Sequence, residues 1–209
     1  MGVRVLPSLK LVTAATAEPV LATEAKAHLR ETATAASVTS LINGYIVGAR
    51  DMGEEDTGRA WMKQTWDMKL DEFPCDDGPI LVPKPPLQSI TSITYVNSTG
   101  GSSTLAATGY RVDRHSEPAR ITPAYGAYWP TTRDVTGAVT VRFVCGYTTA
   151  SGAAAGNPAS VPRRLKQGLL LTVGHWYENR ERVVVGEGAQ ELPVAAKSLY
   201  NQLRVFRFE

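Results

Sequence analysis

The sequence predicts an α+β fold in which about four helices drawn from both chain ends form a bundle, with an antiparallel β domain inserted between them. Three observations predict it. Apolar residues recur at three- and four-residue spacing near both ends, the mark of one buried helical face. Between about residues 65 and 150 the apolar period drops to two, as in strands. Ser151 to Ala159 is rich in Gly and Ala and reads as a linker returning the chain to its helical part. On this division 1–64 holds an N-terminal arm and the first bundle helices, 65–150 the β domain, and 151–209 the linker, the closing helices and a tail.

Met1 to Ala17 reads as an extended arm, because Lys10 interrupts its apolar run and leaves no signal-peptide core. Thr23, with Glu24 in the first turn, is placed to N-cap a short helix. A second helix is predicted from Ser37 to about Thr57. Val38, Leu41, Ile42, Tyr45, Ile46, Ala49 and Met52 share one face, and Asn43, Arg50, Glu54 and Glu55 lie opposite. Gly58 supplies the C-terminal glycine. Gly44, Gly48 and Gly53 inside this helix cost roughly 1 kcal/mol each relative to alanine.

From Thr65, Trp66, Met68 and Leu70 alternate with charged residues as a half-buried strand. Prolines on both sides demote Ile80 to Val82 to an edge strand. Ser89 to Val96 is the next strand, closed by the Asn97 to Gly101 turn onto Thr104 and Leu105. Tyr110 to Asp113 and Arg120 to Thr122 follow. The clearest strand is Val139, Val141, Phe143, Cys145 and Tyr147, which belongs in the centre of its sheet. Before it lies an aromatic loop, Pro123 to Pro130, whose rings are expected to pack over the sheet, with a partner-facing loop as the competing reading. Ser160 and Pro162 open a helix to about Asn179, and Pro193 opens a last one with the stripe Ala196, Leu199, Tyr200 and Leu203.

The chemistry of function is sparse. In 209 residues, 22 Lys plus Arg oppose 20 Asp plus Glu, for a net charge of +2, which lacks the strong basic excess of a dedicated nucleic-acid binder. Cys75 and Cys145 form no CxxC pattern or disulfide framework, and no apolar run approaches the length of a membrane span. His28, His115 and His175 stand apart, with no second ligand at metal spacing. Asp113, His115 and Ser116 make no triad, since neighbouring strand residues face opposite ways and no GxSxG elbow is present. Asp76 and Asp77 before Gly78-Pro79 read as a turn, and Gly186 and Gly188 lack the third glycine of a dinucleotide loop. No enzyme, cofactor or metal site is expected.

An ordered set of motifs is more specific. Glu24 to Arg30, Thr57-Gly58-Arg59, Gln64-Thr65-Trp66, Pro85 to Ile90, Tyr110 to Asp113, Val139 to Phe143 and Gly174 to Arg180 together resemble the phage head-tail connector family across nearly the whole chain. That family comprises adaptor, or head-completion, proteins of tailed phages, prophages and gene transfer agents. The resemblance implies a virion protein at the head-tail interface, assembled in the host cytoplasm as a homo-oligomeric ring matching the twelvefold portal. Its implied partners are the portal protein, a stopper or tail-completion protein, other copies of itself, and double-stranded DNA passing through the channel without sequence-specific binding. No membrane is involved.

Within that frame, Leu199, Leu203, Phe206, Arg207 and Phe208 are candidate portal-binding residues, because aromatic side chains on a basic terminus are hard to bury without a partner. A tail folded back on its own bundle is the competing reading. Arg163, Arg164 and Lys166 occupy a helix's first turn, where cations oppose the dipole. With Arg180 and Arg182 in the following loop they are candidate inter-subunit or channel contacts. A stopper subunit of the same neck is the alternative function; a DNA-binding module built on the same cations is a more remote one.

Overall fold

The computed structural model describes residues 7–147, 160–179 and 193–205. Two compact units divide the chain: residues 7–15 with 63–147, and residues 16–62 with 160–179 and 193–205.

The first unit is built of two antiparallel sheets. Strands β1 (Ser8–Thr13), β2 (Gln64–Leu70), β4 (Leu87–Val96), β5 (Ser102–Thr104) and β8 (Val139–Cys145) form a five-stranded sheet in the order β1-β2-β8-β4-β5. Strands β3 (Ile80–Val82), β6 (Tyr110–Asp113) and β7 (Ala119–Pro123) form a second in the order β3-β7-β6. The strand of strict alternation is central, as its pattern requires. Val139, Val141, Phe143 and Cys145 of β8 are fully buried, and Val141 lies opposite both Met68 and Ile93, so these three make one buried row across three strands. β8 stops at Cys145 because Gly146 turns away at φ +108, its N–H bonded to Pro86 O. The proline-flanked β3 is an edge strand, and its Ile80 and Val82 face Ile121 and Ala119 of β7 across a buried layer.

The arm differs from expectation. Ser8–Thr13 is the edge strand of the larger sheet, with Leu9 opposite Met68 and Lys10 opposite Asp67. Its partner lies more than fifty residues away in sequence and its side chains are mostly exposed, so neither local pattern nor burial marks it. Lys10 and the bulge between Leu11 and Thr13 blunt the free edge.

The second unit packs α1 (Ala22–Leu29), α2 (Ala36–Thr57), α3 (Arg163–Glu178) and α4 (Val194–Asn201) around Ile42, Ile46, Trp61, Leu165, Leu169, Val173 and Tyr200. The first helix begins at Ala22, with no side-chain cap; Thr23 lies inside it, because the Ala25 N–H bonds Leu21 O. α2 keeps all three glycines over 22 residues. Two of them admit a neighbour: a Cβ at Gly48 would lie 3.3 Å from the Trp176 ring, and one at Gly53 would collide with the Trp61 indole. Gly168 of α3 is likewise filled by the Tyr200 ring. Since Gly48 meets Trp176 near the end of α3, while Gly53 and Gly168 meet at the Trp61–Tyr200 pair, the end of α2 and the start of α3 share one end of the bundle.

Candidate assembly surface

That end of the bundle is where the chain leaves its last helix. α2 terminates at Gly58, whose φ of +66 suits glycine, and the chain doubles back through Arg59 to the buried Trp61. The Glu54 carboxylate accepts the Trp61 N–H at 2.6 Å, and the Trp61 indole N–H donates to Thr57 Oγ1 at 3.1 Å. Glu54 also faces Arg50, which pairs with Glu18 at 2.7 Å and so ties the segment before α1 to α2. Burial raises the Glu18 carboxyl above its ordinary range despite the hydrogen bond from Arg50. The Tyr200 ring lies 5.4 Å from Trp61, and its hydroxyl is pushed up to about 12 by burial.

Two bonds then fix the chain after α4. Arg59 Nε donates to Leu203 O at 2.5 Å, and the Val205 N–H donates to Thr57 O at 2.9 Å. The candidate residues therefore divide. Leu199 and Leu203 are half-buried, and Leu203 lies past the end of α4, folded back on its own bundle. Phe206, Arg207 and Phe208 lie outside the described residues, as do Arg180 and Arg182. Arg163 and Arg164 are exposed and Lys166 is half-buried at the start of α3. The bundle thus brings the α3 cations and the departure point of the tail to one end. Arg59 went unread as a site residue; its signal was its place beside the C-terminal glycine of α2.

The aromatic loop also divides. Trp129 stacks on Phe73 with ring centroids 5.0 Å apart, its backbone N–H bonds Asp77 Oδ1 at 2.9 Å, and its indole N–H bonds Gly78 O at 3.0 Å. The Asp76-Asp77 turn therefore has a structural use. Tyr125 and Tyr128 instead stand in solvent, 98% and 79% exposed, against the expectation that this loop's rings pack inward. Elsewhere Asp113 is held down to about 2 by the Arg120 hydrogen bond and then by the His115 N–H, in a turn rather than a triad. Among the described residues no group of three or more His, Cys, Asp or Glu converges on one point, and no helix is long and apolar enough to cross a membrane.

No protein-family model and no curated protein sequence matches the chain. Among solved structures, a chain in the neck of an empty gene transfer agent particle, computed with C6 symmetry, matches with a TM-score of 0.74 and 21% identity over 97% of both chains. A chain in the virion of the native particle matches with a TM-score of 0.72 and 22% identity, over 96% of this chain and 97% of the other. One in the neck of the native particle, computed with C12 symmetry, matches at 0.65 and 22% over 97% of both. The likeness spans nearly the whole of both chains, so this chain has the fold of a chain found in the neck of a gene transfer agent particle.

Proposed function

We propose that the chain is a structural subunit of a virion neck, an adaptor whose copies form a twelvefold ring on the portal, extend the DNA channel and join head to tail. The observation that carries this reading is the whole-chain fold likeness to a neck chain, 97% of both chains at a TM-score of 0.74. The C6 and C12 symmetries of those necks support a ring compatible with a twelvefold portal. In this reading the segment after Val205, with Phe206, Arg207 and Phe208, makes the portal contact. Leu199 and Leu203 support its root, because the Leu203 carbonyl is already taken by Arg59. Arg163, Arg164 and Lys166 at the same end, together with Arg180 and Arg182, contact neighbouring copies or passing DNA through charge alone. The protein acts at the head-tail interface of the virion and in the host cytoplasm during assembly, and its next partner is a stopper or tail-completion protein.

Native mass spectrometry of the chain mixed with the portal protein of the same genome tests this. Near-stoichiometric addition to the portal ring is expected. Failure to add to the portal, with binding instead to a preformed adaptor–portal complex, would reassign the chain to the stopper layer. A chain that removes no portal contact when Phe206 to Glu209 are deleted would move the docking site elsewhere.

A further inference from the structure

A closed ring needs two different, complementary patches on every copy. One candidate patch is a rigid aromatic knob. The Ala127 N–H bonds Ala124 O to close a turn with Gly126 at φ +75, and the Ala124 N–H bonds Gly109 O, extending the ladder of the smaller sheet to the turn's base. Trp129, locked on Phe73, fixes the other side. Tyr125 and Tyr128 project from this frame almost wholly exposed. Tyrosine has only two side-chain torsions to order, so on a fixed backbone turn it loses little conformational entropy on docking, which is why such residues anchor interfaces.

The other patch is a notch on α2. Gly44 sits mid-helix, yet a Cβ there would meet no described residue within 4 Å, so its cost of roughly 1 kcal/mol is matched by no contact among the described residues. Leu41 and Val47, three residues to either side, are 38% exposed and wall the gap. At about 100° per residue, Gly44, Asp51 and Glu55 fall on nearly one line along the exposed face. The floor is thus apolar and its carboxyl-terminal continuation acidic.

The charges match in one direction. Arg111, exposed on the edge strand β6 of the hairpin that carries the knob, makes no ion pair with a described residue, and its charge is opposite to that of Asp51 and Glu55. Asp51 already touches Arg50 at 3.1 Å, which leaves Glu55 the freer acceptor. The knob's acidic side, Asp76 and Asp77, then lies along Ala36 to Ala49, a stretch of α2 without a charged residue. Opposite placement would set carboxylate against carboxylate.

We propose that in the ring the Tyr125–Tyr128 turn of one copy docks on the Gly44 notch of α2 in the next copy. The inference rests on the ring reading given above. The test titrates the chain onto the portal by native mass spectrometry, comparing wild type with Tyr125→Ala/Tyr128→Ala and with Gly44→Lys. Wild type should fill the ring cooperatively. Both variants should still bind as scattered copies but need at least about tenfold more protein to complete the ring. Gly44→Lys should also melt at or above the wild-type temperature, since lysine is the better helix former, so a loss of assembly cannot be a loss of fold. Filling by both variants at the wild-type concentration would overturn the proposal while leaving the ring intact. Wild type that never adds to the portal would overturn the ring reading and this interface with it. A cross-check uses Tyr125→Cys and Gly44→Cys together in a Cys75→Ser background: a disulfide between copies is expected, and one closed within a single chain would overturn the proposal.

Discussion

The three glycines of α2 show how one residue type can carry opposite consequences a few turns apart. A helix interior penalises glycine by about 1 kcal/mol against alanine. At Gly53 that penalty is outweighed by the Trp61 indole, which occupies the space a methyl group would need. At Gly44 no described residue occupies it. The same substitution should therefore change sign: Gly53→Ala is expected to destabilise the helical unit by about 1–3 kcal/mol through overpacking, and Gly44→Ala to stabilise it by up to about 1 kcal/mol. Urea unfolding followed by the helical circular dichroism signal checks both, and equal effects would mean that Trp61 does not set the spacing. The sequence displays all three glycines alike. Only the indole rings packed against Gly48 and Gly53 set these two apart from Gly44, and the Trp61 contact joins positions eight residues apart through a reversal of the chain.

Elements were legible where their own pattern carried the signal. β8 reads as central because its apolar alternation demands burial on one face, and its neighbours on both sides bury four of the five expected positions; the fifth, Tyr147, lies past the end of the strand at Cys145. α2 reads to within a residue because its stripe is long and its glycine cap is in place. β1 was illegible for the converse reason: it is held chiefly by backbone bonds to β2, to which its side chains contribute little. Removing residues 1–13 should then cost modest stability while uncovering the β2 edge. Hydrogen exchange is expected to accelerate at the β2 amides that bond β1, with β4 and β8 still protected; loss of protection throughout the sheet would show that β1 is integral to the core. The tail was half legible. Its amphipathic stripe suggested a helix through Leu203, but the helix ends at Asn201 and the backbone of Leu203 and Val205 is claimed by Arg59 and Thr57. Val205→Pro removes the donor to Thr57 and should release the root of the tail. On the adaptor reading proposed above, it is expected to weaken portal binding more than it lowers the melting temperature, measured on the same preparation; a large stability loss with unchanged binding would assign Val205 to the fold alone.

At the scale of the whole molecule, the two units are expected to differ in their response to pH because their shifted groups differ. Tyr200, in the helical unit, is 1% exposed and pushed up to about 12 from an ordinary 10.0 by burial, with the Thr172 contact acting the other way. A folded pKa above the unfolded one gives stability that is complete below pH 10 and lost as pH climbs through the folded value, about 3 kcal/mol in all. In the β unit, Asp113 is held down to about 2 by Arg120, and Asp67 lies below its usual range because Arg142 hydrogen-bonds it at 2.7 Å. Depressed carboxyls work in reverse: their contribution is present above the unfolded value of 3.8 and is lost as pH falls below it, for Asp113 through about 2. In the helical unit the acid response is divided, since burial raises Glu18 while the Tyr177 hydrogen bond lowers Glu31. The expected outcome is that alkali lowers the melting of the helical signal and acid lowers chiefly that of the sheets. Tyr200→Phe makes the first half specific, because phenylalanine keeps the ring against Trp61 and Gly168 but has no proton to lose. Thermal melts between about pH 9 and 11.5 should show the wild-type midpoint falling and the variant's holding nearly level. A variant that loses stability in parallel with wild type would place the alkaline response on a group other than Tyr200.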